Sequence, residues 1–260
     1  MRLAILSDIH GNSIALDAVL VDLRSQGSVD AIWVLGDLAA IGPDPAGVLE
    51  RLSALENVVY VRGNTDKYVT TGERPGPTAE EARADPRRLA TLVELERSFT
   101  WTQGAVTAAG RFDWLAALPL EQRLMLPDGT RLLGVHASPG QDDGSGFHPG
   151  LSQEQQGTLL AGCDADLVCV GHTHTVLDIE VDGIRVVNPG SISNPFPPDL
   201  RAKYAILEAD ETGYRIERQF VEYDHAAVID QVHRVKHPAG DYIIRYMQGQ
   251  VIAPWNRSSA

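Results

Sequence analysis

Apolar runs alternate with helix-like polar segments through the first part of the chain. RLAILSD is an apolar run of strand length that ends in a polar residue, and AIWVLGD and VVYVRGN repeat the form. Between the first two, Asn12 or Ser13 offers an N-cap, and Ile14, Ala18 and Val21 fall at helical spacing. Between the second and third, residues 45–55 read as a helix with proline in its first turn. Strand–helix–strand repeats of this kind predict parallel pairing through right-handed crossovers.

The pattern then changes. Residues 67–112 contain no strong strand; they begin polar and proline-rich and become helical, which predicts an insertion or cap rooted beside the end of the third strand. The second half is dominated by hairpins. Apolar runs flank Asp128-Gly129 and Asp182-Gly183, both strong two-residue turn signals, and YAILEADETGYRIERQFVEY forms a third pair. DADLVCVGHTH is a further buried strand. The expected organisation is a domain over residues 1–225 and a helical tail over 226–260 packed on it, with a break at Pro238-Ala239-Gly240. A parallel α/β half beside a hairpin half predicts an α/β fold of four layers, α-β-β-α: two mixed sheets face to face with helices outside both.

Composition narrows the class. A chain of 260 residues with 43% hydrophobic content supports one sizeable core. Its net charge of -13 argues against general nucleic-acid binding through a basic face. A small phosphate substrate stays compatible, because bound cations invert the field inside a cleft. Cys163 and Cys169 read as a small residue near the core surface and a buried hydrophobe, with no disulfide framework. The start MRLAILSD lacks a signal-peptide pattern and no apolar run reaches membrane length, so the expectation is a cytoplasmic protein without membrane association, free to oligomerise.

The chemistry lies where the apolar runs stop. They are followed by Asp8-Ile9-His10, by Gly36-Asp37, by Gly63-Asn64-Thr65-Asp66, by His136, and by Gly171-His172-Thr173-His174. Each residue alone has an ordinary explanation, as cap, turn residue or core histidine; only the His-x-His pair favours metal by itself. Together they place ligand-type side chains at five strand ends, where α/β sheets build their sites. Oxygen and imidazole donors without thiolate suit Mn²⁺ foremost, with Fe, Zn²⁺, Ni²⁺ or Co²⁺ as alternatives.

The order D-x-H, G-D, G-N-x-D, H, G-H-x-H, carried by SDIHGN, VLGDLAAIGPDP, VVYVRGNTD, LLGVHASP, VCVGHTH and VVNPGSI, resembles the calcineurin-like metallophosphoesterase superfamily, in particular its compact bacterial and archaeal phosphodiesterase branch. The resemblance covers about residues 2–222. It implies two divalent metals: Asp8, His10, Asp37 and His174 at one, and Asp37, Asn64, His136 and His172 at the other, with Asp37 bridging. It also implies Asp37, Asn64 and His136 as catalytic residues and a metal-bridging hydroxide as the in-line nucleophile. Asn12, Arg62 and Asn64 are the candidate phosphate contacts. The expected substrate is a small-molecule or nucleotide phosphoester, most readily a diester. A protein or dinucleoside-polyphosphate phosphatase, or a non-catalytic scaffold of the same fold, is the alternative. Thr65 departs from the family pattern: many members carry histidine there to protonate the leaving group, and threonine has no suitable pKa. His148, in a glycine-rich loop, is a speculative substitute.

Overall fold

A computed structural model describes residues 1–250. The last ten residues of the expected tail, 251–260, lie outside the described residues.

Strand β1 (Arg2–Leu6) leads through α1 (Ser13–Ser25) to β2 (Ala31–Leu35), and α2 (Pro45–Ser53) leads to β3 (Val58–Val61). β1 pairs parallel with β2, and β2 with β3. Four α-helices follow: α3 (Asn64–Thr71), α4 (Ala79–Ala84), α5 (Leu89–Ala108) and α6 (Phe112–Ala116). The hairpin half supplies β4 (Glu121–Met125), β5 (Arg131–Val135), α7 (Gln153–Leu159), β6 (Leu167–Cys169), β7 (Leu177–Val181), β8 (Ile184–Asn188), β9 (Ala202–Asp210) and β10 (Gly213–Val221). Helices α8 (His225–Val235) and α9 (Gly240–Met247) follow. The strand orders are β10-β9-β1-β2-β3 and β4-β5-β6-β8-β7, two mixed five-stranded sheets.

All three expected hairpins form. At Asp182-Gly183 both turn residues take positive φ, 51° and 81°, as a tight hairpin turn demands. β9 returns antiparallel beside β1, which makes the first sheet mixed.

The side-chain period of a strand builds the layers. In β1, Leu3 and Ile5 enter the core between the sheets with Trp33, Leu35, Leu132 and Leu167. Ala4 and Leu6 face the outer helices with Leu16, Val19 and Leu49. A third cluster, with Leu133, Val168, Val186 and Phe147, covers the other face of the second sheet. Each buried leucine or isoleucine is worth about 1.5–3 kcal/mol relative to exposure. The sheets approach closely at Gly134, where an added Cβ would lie 2.7 Å from the Trp33 ring. Cys169 is buried in the central core and Cys163 is half-buried; both are free.

One expectation needs correction. The period of α1 is helical and Asn12 caps it, its side chain accepting from the N–H of Ala15 at 3.0 Å. The buried face, however, is Ala15, Leu16, Val19, Leu20 and Leu23 rather than Ile14, Ala18 and Val21. Val21 is 60% exposed. A helix lying on a sheet buries a broad stripe, and the bulkier leucine side claimed it.

Residues from α5 (Leu95, Phe99, Val106) and from the C-terminal helices (Val228, Val232, Ile243, Tyr246) join the same core cluster as α1 and α2. No helix among the described residues is long and apolar enough to cross a membrane.

Candidate metal centre

The strand ends converge as the pattern of polar stops implied. Asp8 and His10 follow β1, Asp37 follows β2, Asn64 opens α3 just after β3, His136 follows β5, and His172 and His174 follow β6. Asp8, His10, Asp37, His172 and His174 all hold positive φ, between 49° and 67°. Such a conformation is uncommon outside glycine, and five instances in one cleft mark strain held in place by its surroundings. The glycines beside these residues leave the room. At Gly63 a Cβ would collide with the Asp37 carboxylate, so the third strand can approach Asp37 only without a side chain there.

Asp8, His10, Asp37 and His174 offer ligand atoms that all lie within 4.8 Å of one another. His10 Nε2 is 3.6 Å from Asp37 Oδ2, and His174 Nε2 is 3.4 Å from Asp8 Oδ1. A second group gathers on the other carboxylate oxygen of Asp37. His136 Nε2 lies 3.5 Å from Asp37 Oδ1 and 3.0 Å from Asn64 Oδ1, which is also 2.9 Å from His172 Nδ1.

The far ring nitrogens fix the tautomers. His10 Nδ1 faces the Ala40 carbonyl at 3.0 Å, His136 Nδ1 the Leu35 carbonyl at 2.6 Å, and His172 Nε2 the Gly144 carbonyl at 2.9 Å. A carbonyl only accepts, so each of these nitrogens donates, and the opposite nitrogen is the one left to face a cation. His10 Nε2 and His174 Nε2 approach to 3.0 Å, at 3.6 Å and 3.4 Å from the carboxylates of Asp37 and Asp8. Nitrogen and oxygen donors converging this closely suit a cation among them. The donor set therefore fits a divalent metal.

Electrostatics agree. Burial opposes the charge of Asp37, yet His136 beside it, with His10 and His172, holds its carboxyl far below the usual range. Burial likewise opposes protonation of His136, but the Asp37 carboxylate pushes it up to about 10. Burial, reinforced by neighbouring imidazoles, lowers His10 and His172. Asp37 is the charge around which the cluster is arranged.

Of the remaining sequence candidates, Asn12 is buried; it caps α1 and donates to Ser193 Oγ at 3.2 Å. Arg62 pairs with Asp142, its Nε donating at 2.7 Å. His148 stays in its loop, its Nδ1 accepting from the Gly150 N–H at 3.1 Å. Thr65 is buried at the cleft, its backbone N–H donating to Asp37 Oδ1 at 2.9 Å. Its hydroxyl has no hydrogen-bond partner among the described residues.

Two supports went unassigned in the sequence. The Asp66 carboxylate accepts from the backbone N–H groups of Asp37, Leu38 and Gly63 at 2.9–3.0 Å and so sets the turn that presents Asp37. The G-N-x-D spacing was its signal. Asn188 donates to the Gly171 carbonyl at 2.6 Å and accepts from the Gly190 N–H, bracing the histidine loop.

The family model for the calcineurin-like phosphoesterase superfamily domain matches residues 1–212. The chain belongs to that superfamily. Its members are metal-dependent phosphoesterases, in keeping with the Asp/His cluster above. A metallophosphoesterase from Sphaerobacter thermophilus has a similar structure, with a TM-score of 0.73, 26% identity, and coverage of 96% of this chain and 98% of that one. An uncharacterised protein of Methanocaldococcus jannaschii is 27% identical over 241 residues, 85% of this chain and 88% of that one. The bis(5'-nucleosyl)-tetraphosphatase (symmetrical) of Acidovorax sp. is 33% identical over 141 residues, 53% of this chain. The match spans only 44% of that relative's length.

Proposed function

We propose that this calcineurin-like phosphoesterase is a two-metal hydrolase of small phosphate esters, diesters foremost. The observation that carries the reading is the division of Asp37: Oδ2 faces His10, and Oδ1 faces His136. A carboxylate with a separate donor group at each oxygen is built to bridge. Asp8, His10, Asp37 and His174 would hold one ion, and Asp37, Asn64, His136 and His172 the other. Mn²⁺ is the first choice, and Fe, Zn²⁺, Ni²⁺ and Co²⁺ fit the same donors. When bound, such a pair supplies an activated water at neutral pH and neutralises charge building on the phosphoryl oxygens.

The chain's own residues do the rest. Asp37, Asn64 and His136 are the central catalytic set, because they share one buried hub. Asn64 presents its amide at the cleft, where its N–H₂ group can reach a phosphoryl oxygen. Asn12 and Arg62 already have partners, which favours a supporting role over phosphate contact. The segment 67–112 and the helices after residue 225 act as the outer walls, since Pro75, Phe99 and Tyr242 line the pocket above the cluster. The partial match to a tetraphosphatase supports hydrolysis at phosphorus in the shared half.

The test is a panel of mono- and diesters given to protein loaded with Mn²⁺. Aryl phosphodiester cleavage that disappears in Asp37→Asn supports the reading. Cleavage that persists in Asp37→Asn removes the bridging assignment.

A further inference from the structure

The cavity above the cluster is small, about 130 Å³. Pockets for drug-sized ligands run to about 300–1,000 Å³. Its floor is the Asp/His/Asn cluster, and its outer walls are uncharged: Ile41 after β2, Thr65 at the start of α3, Pro75 and Phe99 from the segment between the two halves, and Tyr242 from α9. Among the described residues no lysine or arginine lines it.

Three of these walls are held in place. Ile41, a β-branched residue at φ 90°, is locked in an unfavourable backbone conformation. Phe99 packs edge-on against Tyr68, with ring centres 5.7 Å apart. Tyr242 is held by its helix. Ile243, Tyr246 and Met247 of α9 are buried in the main core. The Tyr246 hydroxyl donates to the Asn194 carbonyl at 2.7 Å, and the Tyr223 hydroxyl to the Ser193 carbonyl at 3.1 Å. Ser193 in turn donates its backbone N–H to the Asp8 carbonyl at 3.1 Å. The C-terminal helix is thus tied to the loop that packs on a ligand-bearing strand end.

We propose that Tyr242 is a specificity-determining residue that limits the pocket to phosphoesters with one compact, uncharged group on the retained side of the phosphate. The proposal rests on the phosphoesterase reading above and narrows it. A volume of about 130 Å³ disfavours a nucleoside beside the phosphate. None of the lining side chains pairs with the further anions of a polyphosphate chain, and Arg74, 5.4 Å from the Phe99 ring centre, is already held by Glu96 and the Tyr68 carbonyl. Both considerations separate this site from that of a dinucleoside-tetraphosphate hydrolase.

The experiment uses Mn²⁺-loaded protein and diesters that share a p-nitrophenyl leaving group while the retained group grows from methyl through phenyl to thymidine. In the wild type, kcat/KM falls by about tenfold or more from methyl to thymidine, mainly through KM. Tyr242→Ala recovers most of that loss, and Tyr242→Phe, which keeps the ring, retains the discrimination. Calorimetry is the second readout. Inorganic phosphate binds wild type and Tyr242→Ala alike, whereas thymidine 5'-monophosphate binds Tyr242→Ala more tightly. Equal kcat/KM across the series, or unchanged discrimination in folded Tyr242→Ala, overturns the proposal. If no ester is cleaved, the phosphoesterase reading falls, and the two calorimetric titrations still decide the size limit.

Discussion

The carboxylate of Asp66 accepts the backbone N–H of Asp37 at 2.9 Å, and it does so while wholly buried. Burial and the charge of Asp37 push the Asp66 carboxyl up to about 7. Ionising Asp66 there costs free energy, which the hydrogen bonds from the Gly63 and Leu38 N–H groups offset in part. Asp66→Asn puts an N–H₂ group where an oxygen accepts, leaving at least one buried N–H unpaired. The expected result is metal affinity lowered about 10–100-fold, as for other partners that orient a ligand. Stability should fall by about 1–3 kcal/mol. Competitive metal titration and urea unfolding measure the two; wild-type affinity in Asp66→Asn would remove the positioning role.

Thr65 stands in the sequence where the resemblance implies a histidine that protonates the leaving group, and its hydroxyl is a poor acid. A positioned acid contributes about 10²–10⁴-fold when it protonates the departing oxygen. The rate should therefore depend steeply on leaving-group pKa, and aryl diesters should outpace alkyl monoesters. Thr65→His should speed alkyl substrates selectively where the cleft admits the ring. A flat dependence in wild type, with chemistry rate-limiting, would mean that another residue supplies the proton.

His237 gives a pH prediction away from the site. It is buried, stacks edge-on with Trp101 at 4.6 Å, and burial pushes its imidazole down to about 4 from 6.5. The unfolded chain thus binds the proton more readily than the folded one. The neutral ring's contribution to stability is complete above pH 6.5 and is lost as pH falls towards 4, with a slope on the order of 1 kcal/mol per pH unit. His237→Phe should show a shallower loss than wild type over that window in urea unfolding at pH 7.5, 6 and 4.5. Parallel curves would show that His237 is not the group responsible.

The strand ends were legible because each ligand sits where an apolar run stops, a local event in the sequence. Asp182-Gly183 was legible for the same reason, since a tight turn is specified by its own two residues; Asp128-Gly129 marked its hairpin too, but in a longer turn closed by Leu126 and Thr130 in which only Gly129 takes positive φ. Which side of α1 is buried was not, because that depends on the sheet beneath it. Nor were the commitments of Asn12 to Ser193 and of Arg62 to Asp142, partners 181 and 80 residues away. Tyr242 lay further still from any motif. Only the packing of the C-terminal helices into the main core brings it to the pocket above the cluster.

If two ions bridged by Asp37 carry phosphoester hydrolysis, metal-free protein titrated with Mn²⁺ shows no cleavage of bis(p-nitrophenyl) phosphate before metal is added and a rate that saturates at about two equivalents per chain. Full activity at one equivalent, or none at any metal concentration, excludes the bridged pair.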